Sequence, residues 1–358
     1  MIIDLAKKIS GVVLTIFSKT CRYFSRKKNN SSPVIAVIAL HKLGDTVFTI
    51  PAITYLHQIK KNKLYIFCYK ESQSIYQHML KNVEYKILNV NDFFFNGRIV
   101  NSNSRKLLRE IRPDLLIDMT GSITSVSLIF NITNSIIIGI NDSNYKGIYD
   151  HFEKIRTTPH QIDLYFDSIK PMFQKFEYNF NGYSTVINNQ TKILIHPLAG
   201  WKAKEWGVNK YMALYDKLIT KYDCSFIFPK NSFRDDIIKQ FNLKRIKYLE
   251  CNDTEQLMDY IRDFGIFVSN DSGPLQIAAM LKKPTFGIYG PTNPDFHLPL
   301  GNNHGYINLN IKCSPGENKY CFTDAGRNCP DFKCMKDLSV EKVYESLVNF
   351  LDNLETQK

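Results

Sequence analysis

Seven consecutive apolar residues, Val34-Ile35-Ala36-Val37-Ile38-Ala39-Leu40, follow a polar stretch at 27–32. A continuous, mostly β-branched run of this length reads as a parallel strand buried on both faces. From Asp45 the chain reads as a turn into a helix, with Val47, Pro51, Ile53, Leu56 and Ile59 broadly at helical spacing, and 64–69 reads as a second strand. Strand, helix, strand is the unit of a parallel sheet. Further strands are expected at 115–118 and 136–139, so the alternation lasts to about residue 158. The second half repeats it, with strands at 192–196, 225–228, 266–269 and 285–289 and a helix over 210–221. A cap-like Ser339 opens a last helix with Val343, Leu347, Phe350, Leu351 and Leu354 on one face.

With 358 residues, two domains with a cleft between them are expected. The divisions expected are a basic amphipathic segment at 1–32, a Rossmann-like domain at 33–175 and an Asn-rich linker at 176–190. A second Rossmann-like domain at 191–338, with a cysteine-rich loop at 313–334, and the helix at 339–358 complete the chain. Hydrophobic residues make up 44% and charged residues 22%, enough to build large cores and too apolar for overall disorder. No apolar run approaches the ~18–20 residues of a spanning helix.

Charge is unevenly spread. Seven basic residues against Asp4 lie in 1–30, 15 against 10 in 31–158, and 24 against 23 thereafter. A basic first half suits an anionic membrane surface or an acidic acceptor, while the neutral second half argues against nucleic acid as a partner. Lys7 and Lys8 precede an apolar stretch as in a signal peptide, but no small-residue cleavage site follows. Basic and apolar residues interleave instead, as in a helix lying on an anionic membrane; a helix packed on the body is the other reading.

Three loops following strands carry candidate chemistry. Gly44-Asp45 follows the first strand, where open parallel sheets display reactive groups, although Asp45 also suits a helix cap. After 192–196 comes Pro197-Leu198-Ala199-Gly200-Trp201 and then Lys202 and Lys204, a small-residue turn with positive charge that suits a phosphate; a solvated surface lysine is the plain alternative. After 266–269 comes Asn270-Asp271-Ser272-Gly273 and a small-residue helix, whose N-terminus suits the phosphates of a nucleotide.

In this order, Gly44-Asp45 with Pro51-Ala52, Pro113-Asp114-Leu115-Leu116-Ile117-Asp118 with Gly121, Lys204-Glu205-Trp206, Asp271-Ser272-Gly273 and Gly290-Pro291-Thr292 resemble glycosyltransferase family nine, the lipopolysaccharide heptosyltransferases. The resemblance covers most of 34–350. It implies an α/β GT-B fold, two Rossmann-like domains whose parallel sheets face a central cleft, with acceptor on the first and nucleotide-sugar donor on the second. It implies inverting transfer, most simply of heptose from ADP-heptose to a lipid-linked or acidic glycan, needing no catalytic cofactor, in the cytoplasm or peripherally at the inner face of the inner membrane. By the family pattern Asp45 is the general base and Lys204 contacts the donor diphosphate. Gly200, Asp271, Ser272 and Gly273 line the donor site, and Asp235 is a candidate ribose contact. Gln276 stands where the family commonly has His, which bears on donor identity. Heptose transfer to protein side chains and a non-catalytic, metal-held assembly protein of the same fold are the alternatives.

Cys313, Cys321, Cys329 and Cys334, separated by seven, seven and four residues in a loop rich in Pro, Gly and Asn, are candidate ligands for a structural zinc or iron. Unligated thiols and disulfides are the other readings. Some relatives of the resembling family bind iron in this region.

Overall fold

The computed structural model describes residues 2–23, 33–59, 63–154, 160–172, 185–186, 191–321 and 326–356, so nearly all of the expected linker at 176–190 lies outside the described residues. Contacts divide the chain into two units, Met1–Arg156 with Gln161–Tyr178, and Thr157–His160 with Asn179–Lys358.

The first unit runs α1 (Ile2–Tyr23), β1 (Val34–Ile38), α2 (Leu43–Ile59), β2 (Lys63–Tyr69), α3 (Lys70–Met79), β3 (Glu84–Leu88), β4 (Phe93–Phe94), β5 (Ile99–Val100), α4 (Ser102–Ile111), β6 (Leu115–Asp118), α5 (Ile123–Ile129), β7 (Ile136–Asn141), β8 (His151–Lys154) and α6 (Gln161–Asp167). Its main sheet is parallel in the order β3-β2-β1-β6-β7-β8, and β4-β5 is a small antiparallel ribbon. The apolar run predicted at 34–40 is β1, in the middle of this sheet and buried from Ile35 onward. α2 starts two residues before Asp45. Val47, Phe48, Ile50, Ala52, Ile53 and Leu56 are all buried, which explains the loose periodicity of its sequence. Its two buried threonines are satisfied by α3, Thr46 Oγ1 with Ser72 Oγ at 2.8 Å and Thr49 Oγ1 with Tyr76 Oη at 2.8 Å.

α1 packs on the 3-10 segment Ser143–Ile148 that joins β7 to β8. On the body-facing side of α1, Gly11 lies so close to the Asn144 carbonyl that a Cβ would overlap it, Ser18 is buried, and Leu14 packs against the core of the first unit. Arg22 donates to the carbonyls of Ile148 (3.0 Å) and Ser135 (3.2 Å) and pairs with Asp150.

The second unit runs β9 (Lys192–His196), α7 (Val208–Leu218), β10 (Asp223–Pro229), α8 (Asp235–Leu243), β11 (Tyr248–Cys251), α9 (Thr254–Arg262), β12 (Ile266–Asn270), α10 (Gly273–Met280), β13 (Thr285–Tyr289), α11 (Pro294–His297), β14 (His304–Asn308), α12 (Lys333–Lys336) and α13 (Val340–Glu355). The parallel order β11-β10-β9-β12-β13-β14 repeats that of the first unit. Ser339 caps α13 by accepting from the Lys342 amide at 3.3 Å, and Val343, Leu347, Leu351 and Leu354 are buried in the core with Trp206 and Phe286. In both sheets the chain works outward from a central strand and then returns to that strand's other side. The loops flanking this reversal are where open α/β sheets bind ligands.

Candidate active site

In the first unit the reversal lies between β1 and β6. Asp118, at the end of β6, is buried and accepts from the amides of Thr120 (3.0 Å) and Gly121 (2.9 Å) and from Tyr149 Oη (2.8 Å). Burial raises its pKa, and these donors offset part of the rise. Gly121 has φ +58°, and a Cβ there would overlap the Ile140 carbonyl, so only glycine makes this turn. Thr120 Oγ1 in turn accepts from the Leu40 amide at 2.8 Å and so holds the exit of β1.

Asp45 sits half-buried in the first turn of α2. Its carboxylate accepts from Tyr165 Oη of α6 at 3.5 Å, so its side chain makes a tertiary contact where the sequence had also allowed a helix cap. His41 stacks edge-on against Tyr165, with ring centroids 5.3 Å apart, and its buried Nε2 has no hydrogen-bond partner. Burial lowers the pKa of His41, with Asp45 and the Met119 backbone opposing. Beside this turn opens a cavity of about 1070 Å³, reached by His41, Lys42, Lys70, Glu71, Asn89 and Phe93 at the ends of β1, β2 and β3.

In the second unit the reversal lies between β9 and β12, and here the structure brings two predicted residues into contact. Lys204, in the 3-10 turn Lys202–Lys204, places Nζ 2.5 Å from Asp271 Oδ2, with both side chains buried. The same Nζ lies 4.0 Å from the centre of the Trp201 ring, and Thr292 Oγ1 donates to Asp271 Oδ2 at 2.6 Å. Burial disfavours the Asp271 carboxylate, but Lys204, His297 and the hydrogen bonds outweigh it and hold the pKa below its ordinary value. Burial pushes the neighbouring His297 down to about 4.

Asn270 ties the two loops together. Its Oδ1 accepts from the Trp206 amide (3.0 Å) and Tyr211 Oη (3.1 Å), and its Nδ2 donates to the carbonyls of Pro197 (2.8 Å) and Leu198 (3.3 Å). Ser272 caps α10, accepting from the Leu275 amide at 3.4 Å, with Gly273 as the first helical residue. Gly200 borders open space, where a side chain would meet nothing, so packing does not demand glycine. Gln276 donates from Nε2 to the His297 carbonyl at 2.7 Å, while its buried Oε1 is unpartnered. Asp235 is exposed in the first turn of α8, following the neighbouring strand β10.

Cys313, Cys321, Cys329 and Cys334 line one narrow cavity with Ala203, Pro291 and Phe332. Cys329 Sγ accepts the Phe332 amide at 3.3 Å, and burial, reinforced by the other three cysteines, pushes the Cys334 thiol up to about 11. The eight cysteines form no disulfide with one another. Among the described residues no group of three or more Cys, His, Asp and Glu reaches metal-holding geometry, although the four thiols point into common space. The loop borders the turns that carry Lys204 and Thr292: Gly326 lies against Ala203, and the Cys321 amide donates to the Pro291 carbonyl at 2.9 Å.

Thr292 had entered the sequence reading only through the Gly290-Pro291-Thr292 motif and Asn270 only as part of the loop after 266–269, neither with a role of its own, and Tyr165 had not entered it. Asn270 carried one signal, a polar amide closing a mostly apolar strand.

The sequence model of Glycosyltransferase family 9 (heptosyltransferase) matches residues 103–325. Lipooligosaccharide heptosyltransferase 2 of Campylobacter jejuni subsp. jejuni serotype O:2 is 28% identical over 337 residues, which cover 87% of this chain and 96% of that protein. The fold is similar to that of E. coli ADP-heptose lps heptosyltransferase II (TM-score 0.66, 19% identity, 90% of this chain and 99% of that one). It also resembles the iron-containing dodecameric glycosyltransferase TibC of enterotoxigenic E. coli (TM-score 0.56, 11% identity, 92% and 81%). Two Rossmann-like parallel sheets of the GT-B kind, the ordered motifs and the match over most of the chain agree: this protein belongs to glycosyltransferase family 9, the heptosyltransferases.

Proposed function

We propose that this glycosyltransferase moves heptose from ADP-heptose to a lipopolysaccharide-core or related glycan at the inner face of the bacterial inner membrane. The observation that carries the reading is the buried Lys204 ammonium held on Asp271 at the reversal of the second sheet. A diphosphate leaving group needs fixed positive charge in a site shielded from water, and a preorganised ammonium supplies it. The small-residue start of α10 at Ser272-Gly273 and the open backbone at Gly200 suit the same ligand. Asp235 is assigned to the ribose. Gln276 acts on the donor loop through the His297 carbonyl.

In the first unit Asp45 is the general base. A sugar hydroxyl is a weak nucleophile, and a carboxylate within about 3 Å removes its proton as the bond to the anomeric carbon forms from the face opposite the departing ADP. Tyr165 holds that carboxylate, and the neighbouring cavity, with Lys42 and Lys70 at its wall, suits an acidic or phosphorylated glycan. Lys204 answers the charge of the diphosphate, so the transfer itself runs without a catalytic metal.

The four cysteines are assigned a structural zinc or iron. Four soft thiols with a backbone amide on one sulfur suit such an ion, which would fix a loop that has little core of its own.

The reading is tested by thermal shift with ADP-, UDP- and GDP-heptose, followed by mass spectrometry of a heptose-deficient core glycan. At a hundred times its Kd a ligand stabilises by about 2.7 kcal/mol. A shift with ADP-heptose alone and an acceptor gaining one heptose in the presence of EDTA support the reading. A preference for another nucleotide, or an unchanged acceptor, overturns it.

A further inference from the structure

We propose that the outward face of α1 is a docking surface for an anionic lipid bilayer and that the helix is a rigid clamp rather than a tether. This deepens the membrane part of the reading above. α1 is built inside out. Leu5, Ile9, Val12, Val13 and Ile16, spaced to share one side of a helix, are each 57–62% exposed; Phe17 at the edge of this stripe instead turns its ring to Phe130, with centroids 5.5 Å apart. The opposite side faces the body mainly with small and polar groups, Gly11, Ser18, Ser10 at 3.3 Å from Tyr145 Oη, Lys7 at 3.5 Å from Asp142 and the bonded Arg22, with Leu14 as its aliphatic contact with the core. An amphipathic helix serving the core would bury its apolar side. This one spends its polar side on the protein and presents a continuous apolar stripe outward, the mark of a surface that meets another phase or partner.

Charge selects the occupant. Lys8 and Lys19 are exposed along one flank of the stripe, and the next segment of chain carries Arg26, Lys27 and Lys28. Against a second copy of the helix these groups would meet their own sign. Against anionic headgroups they meet the opposite one while the aliphatic stripe enters the acyl boundary. No described helix is long and apolar enough to cross a membrane, so α1 lies on the surface. Because at least four polar or close-packed contacts fix it to the β7–β8 segment, lipid binding sets the tilt of the whole first unit.

The test is flotation of the full chain with vesicles of phosphatidylethanolamine and phosphatidylglycerol, using Val12→Gln/Ile16→Gln and Lys8→Glu/Lys19→Glu. All four side chains are exposed, so thermal midpoints should match the parent. Each pair is expected to lower vesicle partitioning at least about tenfold. Parent binding should weaken as salt rises from about 0.01 to about 1 M, where the Debye length falls from about 30 to about 3 Å. No nucleotide or acceptor is present, so failure of the heptosyl reading would leave this result intact. Unchanged flotation of the variants, or loss of a parent dimer with vesicle binding unaltered, overturns the proposal.

Discussion

Asp45 and Lys204 call for different experiments because their surroundings differ. Asp45→Asn keeps volume and the Tyr165 contact but cannot take a proton. Transfer should fall about 10²–10⁴-fold while donor binding and melting temperature hold, and near-parent turnover by the folded variant would remove Asp45 from proton transfer. Lys204→Ala instead strands the buried Asp271 carboxylate, at an expected cost of about 3–5 kcal/mol, so weak donor binding by that variant alone would prove little. In Lys204→Met/Asp271→Asn no charge is stranded. Urea titration should show most of the lost stability regained, while calorimetry shows ADP affinity still down at least about tenfold. Parent-like affinity in the pair would mean that the ammonium does not touch the diphosphate. Asp45, Lys204 and Asp271 were assigned candidate roles because each comes soon after an apolar strand. Asn270, Thr292 and Tyr165 were not, since each matters through partners brought close only by the fold: Tyr211 is 59 residues from Asn270, and Asp45 is 120 residues from Tyr165.

Elements with one strong period were read almost to the residue. β6, β9 and β13 have the expected bounds, and α13 begins one residue after the expected start. α2 was read late because a helix buried nearly all round has no polar face to set its phase, and the two-residue strands β4 and β5 are too short to show a period at all. The amphipathic pattern of α1 was plain, but pattern alone does not say which face meets the body; the close approach at Gly11 decides it. The cysteine loop shows no period either, as the proposed metal-held loop with little core of its own would not. The protein purified from cells should carry about one zinc or iron per chain by elemental analysis. Cys329→Ser/Cys334→Ser should lose the ion and become protease-sensitive within 313–334. A metal-free parent with an equally resistant loop would reject the assignment.

At the scale of the molecule, acid sensitivity should concentrate in the second unit. His196, His297 and His304 are each pushed down to about 4 by burial. In the unfolded chain they take up protons near pH 6.5, so between these values the unfolded state binds more protons and stability falls as pH falls. Each histidine contributes up to about 3 kcal/mol to that loss by pH 4. Urea midpoints should decline from pH 7 to pH 5, before most carboxylates titrate, and His304→Gln should shallow the slope; a flat profile over this range would contradict the burial of these rings. The long-range ties of the first unit also bear on biosynthesis. As the ribosome extends the chain, the exit of β1 waits 80 residues for Thr120, and Asp45 waits 120 for its hydroxyl partner. During that interval β1 is an apolar strand with one open edge, the kind of nascent segment that aggregates or recruits a chaperone. Translation past Tyr165, not local helix formation around Asp45, therefore sets when the Asp45 carboxylate gains its hydroxyl partner.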